Sequence, residues 1–330
     1  MPGSLDVVAV GHAIVDVLVA APEDLPKEQG LEKGTMTLIE GDRAEAIYAA
    51  MGVGTEVSGG SAANTAAGVA AFGGAAGFVG KVRSDQLGEV FAHDIRAAGV
   101  EFTTPAAADG PATGRCLILV TPDAERTMAT DLGAGANLLP GDIDEGQLGR
   151  ATIVYVEGYL CGLPITDPTV AKAAAVTHQA GGQFALSLSD PFWVELQGDA
   201  LRALLDQVDI LFANEAEATE LCGVEDVETA VLALNRQCPV VAVTRGPAGS
   251  LVATDGKATA VPAYPATAVV DTTGAGDLYA AGFLYGLTHG LEPEVCARLG
   301  GLAAAEVISH LGARPQVSLA ELAKNAGFLA

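Results

Sequence analysis

The segment VVDTTGAGDLYAAGFLYGL, from Val269 to Leu287, gathers several chemically capable residues into one turn. Gly274-Ala275-Gly276 lets the backbone fold so that successive N–H groups converge where a helix begins, which makes an anion hole without a lysine. Asp277 follows in the first helical turn. A carboxylate there stands beside any phosphate the N–H groups hold and can accept the proton of an attacking hydroxyl. The positive end of the helix is expected to depress the pKa of Asp277 and leave it a weak base, which suffices where the hydroxyl proton departs late in a loose phosphoryl transfer. Other familiar signatures are missing from the sequence: G-x-x-x-x-G-K-[ST], G-x-G-x-x-G, H-E-x-x-H and G-x-S-x-G. A P-loop NTPase and a standard dinucleotide-binding dehydrogenase therefore lose their main support.

Composition narrows the partners further. Lys and Arg number 17 against 41 Asp and Glu, for a net charge of −24. Such a charge repels phosphate backbones and anionic lipid surfaces, so neither nucleic acid nor membrane is expected as a partner. With few cations, a bound phosphate must rest on backbone N–H groups, a helix N-terminus, a metal or a few selected arginines. The apolar N-terminal stretch lacks a basic region and is interrupted by Asp6, His12 and Asp16, so it does not read as a signal peptide, and no run reaches the length of a membrane helix. Cys116, Cys161, Cys222, Cys238 and Cys296 are scattered, as reduced and mostly buried thiols of a cytoplasmic protein would be.

The elements that must position Asp277 follow from the hydrophobic pattern. In a chain of 330 residues, half of them hydrophobic, short apolar runs alternate with Ala-rich helical patterns from Gly73 onward. That rhythm predicts an α/β body with a mostly parallel sheet covered by helices, read as one domain over residues 1–330. Ligands of such folds sit at the carboxyl ends of the strands. Two regions break the rhythm, at roughly residues 12–40 and 100–130. There GRCLILV and ERTMATD predict a hairpin around Pro122 and Asp123, and these segments are expected to form a small antiparallel sheet beside the main body. A lid over a cleft and a plain edge hairpin fit this pattern equally.

Asp271-Thr272-Thr273-Gly274-Ala275-Gly276-Asp277 resembles the C-terminal signature of the PfkB or ribokinase-like carbohydrate kinases, and Gly59-Gly60-Ser61-Ala62-Ala63-Asn64 resembles their N-terminal glycine signature. The opening strand ending at Gly11 with Asp16 beyond it, Asn214-Glu215-Ala216-Glu217, and Thr244-Arg245-Gly246-Pro247-Ala248-Gly249 extend the likeness over nearly the whole chain. It implies a ribokinase-like three-layer sandwich with a small β-sheet lid, and ATP-dependent transfer of the γ-phosphoryl to a primary hydroxyl. By resemblance Asp277 is the base, Gly274 and Gly276 flank the N–H groups that neutralise the phosphoryl, and Asp16 and Asn64 bind sugar hydroxyls, with Gly59 and Gly60 allowing close approach. Asn214 and Glu217 would orient magnesium through water and contact the nucleotide phosphates, while Thr244, Gly246 and Gly249 resemble the nucleotide-binding turn. Asp271 and Thr273 belong to a loop that holds a monovalent cation such as K+ in many relatives. Taken alone, Asn214-x-x-Glu217 is a capping-box pattern and the Thr244–Gly249 segment a Gly/Pro hairpin.

Arg126, in the predicted hairpin, is one of few cations able to swing over the phosphates when a lid closes; an exposed hairpin arginine is the plainer alternative. His12, His178 and His310 have no metal-cluster spacing and read as structural, with His310 placed in the C-terminal helix that borders the nucleotide base in relatives. The long segment before the glycine signature, Gly30 to Ile39 followed by a helical stretch from about Asp42 to Met51, resembles the adenosine-kinase-like branch. A nucleoside is accordingly the first expectation for the acceptor, a fructose- or ribose-type sugar the second, and a non-catalytic ligand-binding scaffold the third. Met36, Phe102 and Phe192 are candidates for the apolar wall that a base requires. The lid-like strands fit a monomer or a homodimer.

Overall fold

The computed structural model describes residues 4–123 and 125–329; position 124, in the predicted hairpin turn, lies outside them. In chain order the strands are β1 (Leu5–Val10), β2 (Ile14–Ala20), β3 (Met36–Leu38), β4 (Thr55–Gly59), β5 (Ala76–Val79), β6 (Val100–Phe102), β7 (Thr113–Val120) and β8 (Arg126–Gly133). They continue as β9 (Ala151–Glu157), β10 (Gln183–Ser187), β11 (Ile210–Asn214), β12 (Val240–Thr244), β13 (Ser250–Thr254) and β14 (Lys257–Val261).

Two sheets result. The large one has nine strands in the order β14-β13-β12-β11-β10-β9-β1-β5-β6. Every pairing from β6 across to β12 is parallel, and β12, β13 and β14 close one edge as an antiparallel ribbon. Its strands are near-continuous apolar runs because both faces are covered. Along β1, Val7 and Ala9 enter one core and Val8 and Val10 the other. The first core is shared with helices Ser61–Ala71, Gln86–Ala97, Ala275–Thr288 and Pro293–Val307, the second with helices Asp167–Gln179, Pro191–Leu204, Glu215–Cys222 and Val227–Leu234. This is the mostly parallel, helix-covered sheet that the rhythm predicts, in the three-layer sandwich that the resemblance implies. The abundance of small residues is used where helix Ala275–Thr288 meets Pro293–Val307: a Cβ on Gly282 would lie 2.6 Å from the Leu299 backbone.

The small sheet has the order β3-β8-β7-β2-β4. It is mixed rather than wholly antiparallel, with β2–β4 and β7–β8 antiparallel but β2–β7 and β3–β8 parallel. A tight turn imposes antiparallel pairing only on β7 and β8; β2 and β7 are joined by a long excursion through the large sheet, which permits the parallel arrangement. The hairpin lies inside this sheet, not at its edge. Thr55–Gly59 joins the small sheet as well, whereas Val100–Phe102 pairs at the edge of the large one. Lys33 ties the hairpin turn to the preceding segment through ion pairs to Asp123 at 2.6 Å and to Glu23. Residues 262–274 contain no strand; they are anchored by Val270 N–H donating to Ile308 O at 2.8 Å. The five cysteines are free, and no helix among the described residues is long and apolar enough to cross a membrane.

Candidate active site

A cavity of about 740 Å³ opens between the two sheets, within the range of sites that enclose small molecules. Its floor is formed at the carboxyl ends of parallel strands, where His12, Glu157, Ser187, Asn214 and Thr244 follow or close β1, β9, β10, β11 and β12. The small sheet supplies the roof through Ile14, Asp16, Cys116, Met128, Thr130 and Leu132. The lid alternative therefore describes this sheet's position better than an edge hairpin does.

Gly274, Ala275, Gly276 and Asp277 line the cavity at the start of helix Ala275–Thr288. Gly274 is the N-cap, at φ +79°, and a Cβ there would lie 2.7 Å from the Ala313 Cβ. Ala275 N–H is committed to a turn bond with Thr272 O at 3.2 Å, and the helical ladder begins with Leu278 N–H to Gly274 O at 2.8 Å. The N–H groups of Gly276 and Asp277 thus precede the ladder and are the ones free for an anion. The hole is shifted one residue along from the expected triplet. At Gly276, which lines the cavity, a Cβ would meet nothing beyond its own helix within 4 Å, so a side chain there would project into open space. Gly276→Ala should leave the melting temperature unchanged or slightly higher, since Ala favours a helix by up to about 1 kcal/mol, while raising the KM for ATP about tenfold or more. Thermal unfolding and initial rates test this together; an unchanged ATP KM would remove the anion hole from this turn.

The Asp277 carboxylate is held by Ser61 Oγ donating to Oδ1 at 2.7 Å and Asn64 Nδ2 donating to Oδ2 at 2.9 Å. Burial raises its pKa to about 6, against the lowering by those two hydrogen bonds and by Arg314, and the Glu157 charge adds to the rise. The direction is opposite to that expected from the helix terminus, because the local dipole is outweighed by desolvation imposed by distant elements. A carboxylate near 6 is a better-matched base than one near 3.

Asp16, on β2, faces the same cavity, and burial raises its pKa to about 7, opposed by Arg314 and then Arg126 and reinforced by Asp277. Gly59 lies beside Asp16 rather than on the cavity lining: a Cβ at Gly59 would stand 2.4 Å from the Asp16 carboxyl carbon, so this glycine makes room for the acid. Gly60 lines the cavity and caps helix Ser61–Ala71 at φ +97°. Arg314, which the sequence reading missed, binds this signature from below. It donates to Ser58 O at 3.0 Å, Ala63 O at 2.6 Å and Ser58 Oγ at 3.0 Å, and burial lowers its pKa to about 10. No local pattern marks it among the chain's other cations.

Arg126 opens β8 and reaches the turn before the anion hole. It pairs with Asp271 Oδ2 at 2.7 Å and lies 3.5 Å from Thr273 Oγ1, so it is not an exposed hairpin arginine. Asp271 also accepts from Thr273 N–H at 3.1 Å and Gly312 N–H at 2.8 Å. Its carboxylate is paired with the guanidinium and accepts these two backbone N–H groups, which clamps the turn before Gly274.

On the opposite side, Asn214 and Glu217 line the cavity as a complete capping box. Glu217 N–H donates to Asn214 Oδ1 at 2.8 Å, Asn214 N–H to Glu217 Oε2 at 2.9 Å and Asn214 Nδ2 to Glu217 Oε1 at 2.6 Å. Burial pushes the Glu217 pKa up to about 7. Asp190, absent from the sequence reading, lines the same wall. No group of three or more His, Cys, Asp and Glu that could hold a metal exists among the described residues. The donor set suits a magnesium ion that keeps its waters and binds chiefly through phosphates, and does not suit a caged metal. Thr244 lines the cavity, while Gly246 at φ +52° and Gly249 at φ +85° form the turn into β13 without lining it.

Of the expected apolar wall, Met36 and Phe192 line the cavity and are 44% and 66% exposed overall, but Phe102 is in the core against Phe78 and Phe91. Tyr159 and Trp193, packed edge to face, complete the wall and were not anticipated. His178 pairs with Asp209 away from the site. His310 lies beyond helix Pro293–Val307, bonded to Glu306 at 3.1 Å. His12, read from the sequence as structural, instead lines the cavity beside Glu157. The available signal was positional: a histidine just past β1 and an acid closing the apolar run ATIVYVE sit where strands of this fold deliver ligand contacts.

Comparison with known proteins agrees with this geometry. The model of the pfkB family carbohydrate kinases matches residues 42–319. The solved structure of adenosine kinase from Sinorhizobium meliloti is 46% identical with a TM-score of 0.91, covering 98% of this chain and all of that one. That of a probable sugar kinase from Rhizobium etli is 42% identical with a TM-score of 0.92, covering 99% of this chain and all of that one. Adenosine kinase of Saccharomyces cerevisiae is 28% identical, over 92% of this chain and 95% of its own length. With the sandwich, the small sheet and both glycine signatures converging on one cavity, the chain belongs to the pfkB family of carbohydrate kinases, phosphotransferases that act on hydroxyl groups of sugars or nucleosides.

Proposed function

We propose that this kinase transfers the γ-phosphoryl of ATP to the ribose 5′-hydroxyl of a nucleoside. The observation that carries the reading is a single cavity lined both by the carboxyls and amide of Asp277, Asp16 and Asn64 and by the large apolar side chains Met36, Phe192 and Trp193. The polar groups suit a ribose and the apolar side chains suit a flat base. The likeness to adenosine kinases supports the same acceptor, and the likeness to a sugar kinase is the reason to test it.

In this reading Asn64 and Ser61 orient the Asp277 carboxylate, which takes the proton of the primary hydroxyl as oxygen–phosphorus bonding develops. Gly276 and Asp277 N–H groups meet the charge on the transferring phosphoryl. Asn214 and Glu217 would hold a magnesium ion through water, and that ion would supply neutralisation of the phosphates. The roof of small-sheet residues excludes water, so ATP hydrolysis without acceptor should be slow.

An acceptor panel of nucleosides, riboses and hexoses with Mg-ATP tests the assignment; phosphorylation of sugars with no nucleoside turnover would overturn it in favour of a sugar kinase. The acid limb of kcat/KM follows from the raised carboxyls. Asp277 and Asp16 must be ionised to accept hydrogens, their pKa values are about 6 and about 7, and the Asp277 charge contributes to the rise at Asp16. Activity should therefore fall in two coupled steps as pH drops from about 7 to about 6. A profile flat from pH 8 to pH 5 would contradict both assignments.

A further inference from the structure

His12 and Glu157 form a pair that phosphoryl transfer leaves unused. Each is 1% exposed and each lines the cavity. Glu157 Oε1 accepts the His12 backbone N–H at 2.8 Å and lies 2.5 Å from His12 Nδ1, while Oε2 accepts the Ala62 N–H at 2.9 Å. A carboxylate that already accepts backbone N–H groups through both oxygens can only accept again, which places the imidazole hydrogen on Nδ1. In the neutral imidazole Nε2 is then a bare lone pair, and it is buried without a hydrogen-bond partner. Asn64 Oδ1, also of a cavity-lining residue, is a second buried acceptor without a partner. The surroundings are built for the pair: a Cβ on Gly11 would fall 2.2 Å from Glu157 Oε2, and one on Gly135 would lie 3.3 Å from His12 Cδ2. Leaving such acceptors unpaired costs stability, so a ligand that pairs them gains affinity.

We propose that His12 reads the phosphoryl acceptor: its Nε2 lone pair takes a hydrogen bond from an O–H or N–H of the bound acceptor, and Glu157 is the positioning residue that fixes the tautomer. The proposal deepens the reading given above in that the acceptor occupies this cavity, but it holds for a nucleoside or a sugar alike. It makes this kinase selective for acceptors with a hydrogen donor at one place, and hostile to deoxy or des-amino analogues lacking it.

The test compares kcat/KM for an accepted substrate and for analogues each missing one donor: 2′-deoxy, 3′-deoxy and des-amino nucleosides, or the corresponding deoxy sugars. The wild-type enzyme should penalise one analogue about tenfold or more. His12→Phe should lose a similar factor on the parent substrate and cease to distinguish that analogue, with the KM for ATP unchanged. His12→Gln, which can offer a carbonyl near the place of Nε2, should regain part of the discrimination. If a folded His12→Phe keeps the wild-type pattern, or loses activity equally on every acceptor, the proposal is overturned. Nitrogen-15 NMR of the wild-type histidines gives a result independent of the variants' folding: Nε2 of His12 should be unprotonated and its resonance should move on acceptor binding, and a protonated or unmoved Nε2 would overturn the proposal. Turnover of sugars alone would defeat the nucleoside reading, and the deoxy-sugar series then decides the role of His12.

Discussion

Asp277→Asn is expected to lower kcat by about 10²–10⁴-fold, the usual worth of a positioned general base, while the KM for ATP changes little. The amide keeps the backbone, and with it the Gly276 and Asp277 N–H groups, so phosphate binding survives where proton acceptance does not. The same variant should be more stable than the wild type at pH 8. Asp277 has an ordinary pKa of 3.8 raised to about 6 by burial, so the folded state holds this proton more tightly than the unfolded chain does. Its favourable contribution is present below about pH 4 and is lost as pH rises through about 6. At pH 8 the wild type therefore bears the ionisation of a desolvated carboxyl, which Asn does not. Because Asn64 and Ser61 stabilise the ion and the group is only partly buried, the gain should be about 1 kcal/mol, vanishing toward pH 4. Denaturant unfolding at the two pH values and steady-state kinetics measure both halves. Turnover near that of the wild type would defeat the general-base assignment; stability falling at pH 8 would show that the hydrogen bonds outweigh burial.

The contrast between the expected and the observed pKa of Asp277 shows what the sequence could carry. The glycine turn, the acid after it and the helix they start are contiguous, so local chemistry reveals them, and the alternation of apolar runs with helices reveals the parallel sheet because its period is local too. The pKa of Asp277 is set instead by burial and by Ser61, Asn64, Glu157 and Arg314, brought from remote positions, and no window of sequence contains that information. The small sheet failed for the same reason: β7–β8 was legible as a hairpin, but the parallel pairing of β2 with β7 is a property of the assembled sandwich. Phe102 and His12 illustrate the converse error. An aromatic residue and a histidine carry no mark of which side of a strand they face, and the structure buried the first in the core and brought the second to the cavity.

Arg126 offers the other large expected effect, because its ion pair braces the fold beside the turn proposed to hold the transferring phosphoryl. Its pair with Asp271 joins the small sheet to the turn that precedes the anion hole, with side-chain exposures of 11% and 2%. Arg126→Met would leave the Asp271 carboxylate buried with only the Thr273 and Gly312 N–H groups, a loss of about 3 kcal/mol for a broken buried pair. Adding Asp271→Asn removes the stranded charge, so the double variant should recover most of that stability, and the two changes should be strongly non-additive. Activity should not recover with it. Arg126 Nη2 is buried without a partner, and Thr273, 3.5 Å from Nη1, lines the cavity. A guanidinium poised there can turn toward a transferring phosphoryl, and its loss should keep kcat down by about 10²-fold even in the restabilised protein. Unfolding and kcat measured on the two single variants and the double variant separate the roles. If kcat returns together with stability, Arg126 is a clamp on the turn and takes no part in stabilising the transition state.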